Sequence, residues 1–479
     1  MKRNHLPLVG LTFAYTTLFY KQASGINYLI FNLLLLFYLY WKNKTNLLSL
    51  KGLITTLGCL ISSASILLWS TSLAIWGNII SLLAVMGFII HSRISLYTAV
   101  TNSIYQATTS FIWRCINKLG LNPTASKKRT RKKSPKLILL KSLTFLIPTL
   151  LVFVFLSLYR AGNPAFNDLV ETINLDFISI NWLLFTIMGY LLLFGLLQQN
   201  SIVSWLEKDL KLPNQLQRER NFKTRSFHPL SLKFELLTGF ILLALLNLLL
   251  FSFNALDLYN LTNSAWSKET NYSANVHQGV NTLIISIVLA IAIIIYFFRK
   301  NLNFYRDNSK LKLLAYTWIV QNILLALTTA WKNLSYIHEL GLTYKRIGVF
   351  IYLILVAGGL ITTLIKVHKA KSTWYLFRSN SWIAYLLWIS CSLFPWDVMI
   401  TQYNLKHSQK TDIRYLLSLS ETNIHLLDNH FQKNKDLDFM YRLKNEKRKI
   451  KFLKGEENRS LFSWNYIHWR IKTHLNQID

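Results

Sequence analysis

The chain has 479 residues and a formal net charge of +32, yet only 15% of its residues are charged and 52% are hydrophobic. Soluble domains carry about 25% charged residues, so this composition excludes an ordinary soluble protein. The many Leu, Ile and aromatic residues exclude a disordered chain. The three cysteines lack CxxC spacing, so neither a disulfide framework nor a cysteine metal site is indicated. We therefore expect an all-α, polytopic transmembrane helix bundle.

Apolar stretches recur along the whole chain. A bilayer core about 30 Å thick needs about 20 apolar residues in a helix. About 11 stretches approach this length, and the first and last are short enough to be re-entrant or interfacial. The first also has the basic start of a signal peptide, but the ten later spans favour an uncleaved helix. The predicted spans are 6–20, 25–41, 50–69, 72–91, 138–159, 181–198, 236–256, 278–298, 313–331, 347–366 and 381–395.

The basic residues between the spans predict the orientation. With the N-terminus in the cytoplasm, the cytoplasmic segments hold 31 Lys and Arg residues, whereas the outer loops hold six. This asymmetry agrees with the positive-inside rule. An odd number of spans then places the C-terminal tail on the periplasmic or extracellular side.

Charge and hydropathy divide the chain into four regions. They are N-terminal transmembrane hairpins (1–91), a cytoplasmic amphipathic and basic loop (92–137), a transmembrane core (138–395) and a polar helical C-terminal tail (396–479).

Region 92–137 predicts a membrane-surface segment. Leu96, Val100, Ile104 and Phe111 recur at helical spacing, which favours a helix in the headgroup layer. A solvated loop whose charge only fixes topology is the alternative. The basic cluster is short and lacks interleaved aromatic residues, so no nucleic acid partner is expected. The residues predicted to contact anionic lipid headgroups are Lys127, Lys128, Arg129, Arg131, Lys132 and Lys133.

Catalytic motifs are missing from the sequence. There is no Walker loop, no GxGxxG after a strand and no GxSxG elbow. His338-Glu339 lacks the second histidine of a HExxH zinc helix. Between Met1 and Phe166 there is no Asp or Glu, so the first spans can supply no carboxylate chemistry. No metal, cofactor or catalytic residue is predicted.

Two sets of polar residues remain as candidates. Within the spans, Asn247, Gln321 and Asn322 either line a polar path or, as we favour, bond between helices. At the outer face, three segments are predicted to meet, where Arg160 or Arg346 can pair with Asp397 or Glu339. Such pairs form either structural clamps, the favoured interpretation, or a polar binding site. The outer-face candidates are Arg160, Asn163, Asp168, Glu339, Arg346, Asp397 and Asn404.

The same segments carry a family resemblance. YRAGNPAF, ELGLTYKR, PWDVMITQYN, DIRYLLSLS and FSWNYIHWR resemble an uncharacterised group of bacterial polytopic proteins, the domain of unknown function 4153/4173 group. The likeness runs from about residue 150 to the end. It implies a multi-span inner-membrane protein and carries no activity. The matching positions are Arg160, Asn163, Pro164, Gly341, Thr343, Arg346, Asp397, Tyr403, Asn404 and Trp464.

Three functional hypotheses follow. The leading one is a non-enzymatic membrane component, a scaffold or sensor subunit, with lipid contacts and membrane protein partners. The second is a transporter or channel for a small or anionic solute, which requires a water-lined cavity past Gln321 and Asn322. The third is a lipid-linked transferase that uses Asp168, Glu171 and Asp397.

Overall fold

A computed structural model describes residues 5–119, 179–197, 203–218, 232–262, 272–298, 301–305, 307–407, 411–434 and 439–477, with isolated positions between 151 and 166. The described residues form helices and no β-strand, apart from one isolated bridge between Gln215 and Lys371. The all-α prediction is confirmed. The helices are α1 (His5–Phe19), α2 (Ile26–Leu47), α3 (Leu50–Trp69), α4 (Ser72–Ile90), α5 (Leu96–Leu119), α6 (Ile180–Leu197), α7 (Val203–Lys211), α8 (Leu232–Thr262), α9 (Tyr272–Phe297), α10 (Ser309–Leu340), α11 (Tyr344–His368), α12 (Thr373–Ser392), α13 (Trp396–His407), α14 (Ile413–Leu416), α15 (Ile424–Lys433), α16 (Phe439–Glu457) and α17 (Tyr466–Asn476).

The number of spans differs from the prediction. Six described helices are long and apolar enough to cross a membrane, or seven if the bent pair α12–α13 is one span. Shorter apolar helices cover Leu6–Phe19, Ile26–Lys42 and Ile285–Phe297. A helix of 15 residues is only about 22 Å long, which is less than the hydrocarbon core. The count of 11 is therefore not confirmed, and most of predicted span 138–159 lies outside the described residues.

Apolar side chains cover the surface of the long helices. On α8, Leu245, Leu248 and Leu249 are 60–71% exposed. Exposed apolar surface of this extent is typical of a lipid-facing helix, because water would not solvate it without a large free-energy cost. The fold is therefore that of a membrane protein.

The helices pack in two groups. Leu35 of α2, Met86 of α4 and Leu193 of α6 share the core of the first group, which also includes α1 and α3. The core of the second group joins α8, α9, α10 and α11. Helix α12 links the groups, because its Tyr385 packs in a third core with Phe88 of α4.

The two ends of the bundle differ in what covers them. Helices α3 and α10 terminate at one end of the bundle. We call this end the tail face, because the C-terminal tail packs there. At the opposite face, α5 contacts the last turns of α4 and α6: Cβ atoms added at Gly87 and Gly195 would lie 2.4 Å from the Ala99 and Gln106 carbonyl oxygens, respectively. The periodicity of 92–119 thus correctly predicted a helix.

The chain bends sharply where it enters the tail. Helices α12 and α13 are inclined by 64° across the break that contains Pro395. Proline lacks an N–H group and its ring blocks helix continuation, which explains a break here. After the bend, one tail core packs Ile400 and Leu416 against Ile347 of α11. The second packs Ile467 with Trp69 of α3, so the tail is fixed to both helix groups.

Candidate functional site

The tail docks on the α1–α2 connection through backbone hydrogen bonds. Ile26 N–H donates to the Trp464 carbonyl oxygen at 2.9 Å, and Ala23 N–H donates to Ser463 Oγ at 2.9 Å. The Ser463 hydroxyl in turn donates to Gln22 Oε1 at 2.9 Å. These bonds hold residues far apart in sequence, so they specify one position for the tail on the bundle.

A buried asparagine joins the α10–α11 connection to α13. Asn404 Oδ1 accepts from Leu342 N–H at 2.5 Å, and Asn404 Nδ2 donates to the Leu342 carbonyl at 2.9 Å. Tyr344 extends the contact, because its hydroxyl donates to Asp397 Oδ1 at 2.7 Å. Two of the three predicted outer-face segments are therefore in direct contact.

Arg346 stabilises the end of α10 instead of pairing with a carboxylate. Its Nη1 donates to the Leu340 carbonyl at 2.9 Å and also to the Gly341 carbonyl. The guanidinium lies 4.1 Å from the Tyr336 ring centroid. A cation at a helix C-terminus interacts favourably with the helix dipole and the free carbonyls. Within the described part of the chain, no carboxylate lies within ion-pair distance of Arg346.

The other outer-face candidates that the structure describes are exposed. Glu339 is exposed at the end of α10. Arg160 is exposed, and so is Asn163, whose Oδ1 accepts from Phe166 N–H at 3.4 Å. Asp168 and the basic cluster 127–133 lie outside the described residues.

A cleft of about 690 Å³ opens between the helix ends and the tail. Its floor is the α3–α4 connection, and its walls are the α12–α13 bend and the start of the tail. Four tryptophans contribute to the lining, with hydroxyl side chains and two carboxylates between them. The lining residues are Trp69, Ser70, Thr71, Ser72, Leu73, Trp76, Tyr344, Trp388, Trp396, Asp397, Ser420, Glu421, Thr422 and His468.

Hydrogen bonds fix the polar side of this cleft. Asp397 accepts from the hydroxyls of Tyr344 and Ser420, and the Ser420 hydroxyl lies 2.7 Å from that of Thr422. Behind them, Arg448 Nη2 donates to the Ser420 carbonyl at 2.8 Å. Burial lowers the pKa of Arg448, and the nearby carboxylates of Glu421 and Asp397 oppose this shift. The arrangement presents fixed acceptors beside aromatic surfaces, which suits reversible binding.

Two of the three predicted polar residues inside the second helix group bond across helices. Asn247 Nδ2 donates to the Leu314 carbonyl at 3.0 Å, and Gln321 Nε2 donates to Asn247 Oδ1 at 3.1 Å. Asn322 Nδ2 donates to the Trp318 carbonyl of its own helix at 2.7 Å. Asn247 and Gln321 thus hold α8 against α10, as the favoured interpretation of the sequence expected.

Replacing Asn247 by Leu tests the strength of this link. Interhelical hydrogen bonds in membranes contribute about 0.6 kcal/mol on average, so we expect the variant to fold with a small loss of stability. Thermal unfolding in detergent measures the difference. Leu248→Ala is the matched control because Leu248 is 65% exposed. A complete loss of folded Asn247→Leu protein would contradict this expectation.

A buried ion pair at the opposite face was not predicted from the sequence. Asp209 of α7 accepts from Ser95 N–H at 2.7 Å and from the Ser95 hydroxyl at 2.6 Å. Arg378 of α12 donates to the same carboxylate at 3.1 Å and to Asn214 Oδ1 at 2.6 Å. We call Ser95, Asp209 and Arg378 the Asp209 clamp. Its only sequence signal is an acidic residue in a strongly basic loop.

The tryptophans of the cleft were not predicted as a site either. Their positions at the ends of apolar stretches are typical of the aromatic belt at membrane interfaces. The packing of α12 against α4 brings Trp388 close to Trp76, and the bend after α12 brings Trp396 to the same cleft. The sequence contains no signal for this approach.

Comparison with known families identifies the family of the chain. A family model described as "Domain of unknown function (DUF4153)" matches residues 29–430. The chain belongs to this family. The resemblance found in the sequence is therefore confirmed, although the DUF4153 match starts well before residue 150 and ends before Trp464. No curated protein and no solved structure matches the chain.

Most of the cleft lies within the DUF4153 match. Four of the segments that carry the resemblance contribute lining residues: Tyr344, Asp397, Ser420 and His468. Of these, His468 lies beyond the matched residues. The cleft is therefore the candidate site at which residues from the segments that carry the resemblance come together.

Proposed function

We propose that this DUF4153 protein is a multi-pass component of the bacterial plasma membrane that acts as a non-enzymatic scaffold or sensor subunit. In this proposal the tail face is outside the cell, and the cleft between tail and helix ends receives a ligand or partner. The observation that carries the proposal is the fixed docking of the tail, because it forms one wall of the cleft. Trp464 and Asn404 hold that docking.

The distribution of basic residues supports this orientation. Lys51, Arg378 and Lys366 lie near the opposite face, where Lys51 Nζ donates to the Ile94 carbonyl at 2.6 Å. The segments predicted to be cytoplasmic hold 31 Lys and Arg residues, against six in the predicted outer loops. A cytoplasmic opposite face satisfies the positive-inside rule. The basic cluster 127–133 then lies on the side where anionic headgroups attract it.

Transport is the alternative, and the polar groups of the second helix group do not favour it. A solute path would need amides that face a cavity. Asn247 and Gln321 instead bond to each other across α8 and α10.

Affinity purification in mild detergent tests the proposal. Wild-type protein from native membranes should retain a reproducible protein partner in mass spectrometry. We expect Trp76→Leu/Trp388→Leu to retain less than one tenth of it, because aromatic residues dominate binding energy at such surfaces. Trp331→Leu is the matched control, since Trp331 is 64% exposed on α10 but does not line the cleft.

Two results would contradict the proposal. One is a wild-type protein that purifies without partners. The other is a partner that the double variant retains at the wild-type level, which would place the binding surface elsewhere.

A further inference from the structure

We infer that the cleft at the tail face binds a neutral pyranose sugar, either free or as the headgroup of a lipid. This inference rests on the proposed function and adds the chemical class of the ligand. It goes beyond family membership, which assigns no ligand.

Two of the cleft tryptophans have their indole N–H groups bonded to backbone carbonyls. Trp388 Nε1 donates to the Leu73 carbonyl at 3.1 Å, and Trp396 Nε1 donates to the Cys391 carbonyl at 2.8 Å. With these N–H groups bonded inside the protein, the rings offer their apolar, electron-rich faces. The C–H face of a pyranose ring stacks on such a surface. Trp76 is 59% and Trp388 41% exposed, so both rings are accessible.

Close helix packing holds these rings in place. A Cβ atom added at Gly77 would lie 3.3 Å from Trp388 Cδ1, so the missing side chain lets α12 approach α4. Trp69 packs edge-on against Tyr466 of the tail at 6.2 Å between centroids. Two sides of the aromatic lining are thus fixed before a ligand arrives, which lowers the entropy cost of binding.

The cleft also provides acceptors for sugar hydroxyls. Asp397 keeps a defined position through the hydroxyls of Tyr344 and Ser420. The Glu421 carboxylate lines the cleft and forms no hydrogen bond with the described residues. An ionised carboxylate accepts at several lone-pair positions, so it can bind two adjacent hydroxyls of one sugar. Ser72 and Thr422 add hydroxyl groups that both donate and accept.

The charge balance favours a neutral ligand over an organic cation. Aromatic residues with a carboxylate also bind quaternary ammonium groups. Here, however, Arg448 interacts electrostatically with both Glu421 and Asp397 and offsets part of their charge. A cation would meet this arginine as a repulsive charge, whereas sugar hydroxyls use the carboxylates as acceptors. The volume of about 690 Å³ lies within the range of small-molecule sites, roughly 300–1,000 Å³.

Saturation-transfer NMR on the full chain in lipid nanodiscs tests the inference. The probes are methyl β-glucopyranoside, methyl N-acetyl-β-glucosaminide and tetramethylammonium. A parallel arm adds monoglucosyl diacylglycerol to the nanodiscs and measures its retention by native mass spectrometry. We expect transfer to at least one free sugar or retention of the glycolipid, and the two arms distinguish the sources.

Variants connect the signal to the cleft. We expect Trp76→Leu/Trp388→Leu and Glu421→Gln each to weaken sugar binding about tenfold, and Trp331→Leu to leave it unchanged. Each variant must retain the wild-type unfolding midpoint, and Glu421→Gln, an isosteric change at the protein surface, is the variant least able to disturb folding.

Three results would overturn the inference: no sugar binding in either arm, binding of tetramethylammonium alone, or equal loss with Trp331→Leu. If the double variant still loses its protein partner while no sugar binds, the proposed function stands and only the ligand class is wrong. If sugar binds but no protein partner is found, the ligand class stands and the proposed scaffold or sensor role is wrong.

Discussion

Asp209→Asn should destabilise the bundle by about 3 kcal/mol, because it leaves the Arg378 guanidinium with a buried, unneutralised charge. The Asp209 side chain is only 5% exposed and that of Arg378 20%. Removal of one partner of a buried ion pair costs far more than loss of an exposed pair. The variant should unfold at a lower temperature in detergent.

Glu207→Gln provides the matched control for this substitution. Glu207 lies on the same helix, two residues before Asp209, and is exposed. Its replacement should change the unfolding midpoint little, since surface substitutions are usually within about 0.5 kcal/mol. Equal midpoints for Asp209→Asn and wild type would contradict a stabilising role for the Asp209 clamp.

The same clamp predicts a pH dependence. Burial alone would raise the pKa of Asp209, but the hydrogen bonds from Ser95 and the Arg378 guanidinium lower it below its ordinary value. A carboxyl group with a depressed folded-state pKa contributes stability above its unfolded pKa of about 3.9. That contribution is lost as the pH falls through the folded-state pKa. The difference between wild type and Asp209→Asn should be constant from pH 7 to 5 and shrink below about pH 4.

Gly25→Ala should release the tail from the bundle. A Cβ atom at this position would lie 2.4 Å from the Trp464 carbonyl oxygen and 2.6 Å from the Ser463 carbonyl carbon. Both are backbone atoms, so no side-chain rotation relieves the clash. Overpacking costs about 1–3 kcal/mol. Hydrogen exchange of the α17 amides should therefore accelerate about tenfold, which corresponds to 1.4 kcal/mol.

Gly10→Ala is the control for this experiment. Gly10 lies in α1, and apart from the backbone of its own helix and its chain neighbours no atom is within 4 Å of the position of its added Cβ. Exchange in α17 should match that of the wild-type protein. If Gly25→Ala also leaves α17 exchange unchanged, the tail does not dock through the Ile26–Trp464 hydrogen bond.

The hydropathy pattern along the sequence predicted which segments are helical better than it predicted which helices cross the membrane. The apolar runs correctly predicted an all-α fold, because a helix satisfies its backbone hydrogen bonds within its own segment. The count of 11 spans is not confirmed where apolar runs form short helices, as in His5–Phe19, since length as well as apolarity decides whether a helix crosses a membrane. The last predicted span was expected to be short and re-entrant or interfacial, and in the structure α12 is followed by a bend at Pro395.

The candidate site depended on contacts that no local pattern encodes. Asn404 and Asp397 meet the α10–α11 connection because α10 and α12 both end at the tail face. Arg346 was expected to meet a carboxylate, but Gly341 ends α10 five residues earlier and exposes carbonyls within its reach. The approach of Trp388 to Trp76 depends on how α12 packs against α4. Contacts of this kind join helices that are far apart in the sequence, so they are seen only in the folded structure.

Cysteine labelling in intact cells tests the central claim most directly. Glu421→Cys places a thiol in the cleft, and Lys310→Cys places one at the exposed start of α10 on the opposite face. Labelling of the wild-type cysteines sets the background; Cys59 and Cys391 are buried. We predict that a membrane-impermeant maleimide labels Glu421→Cys in intact cells and labels Lys310→Cys only after permeabilisation. The reverse pattern would contradict an outward-facing cleft.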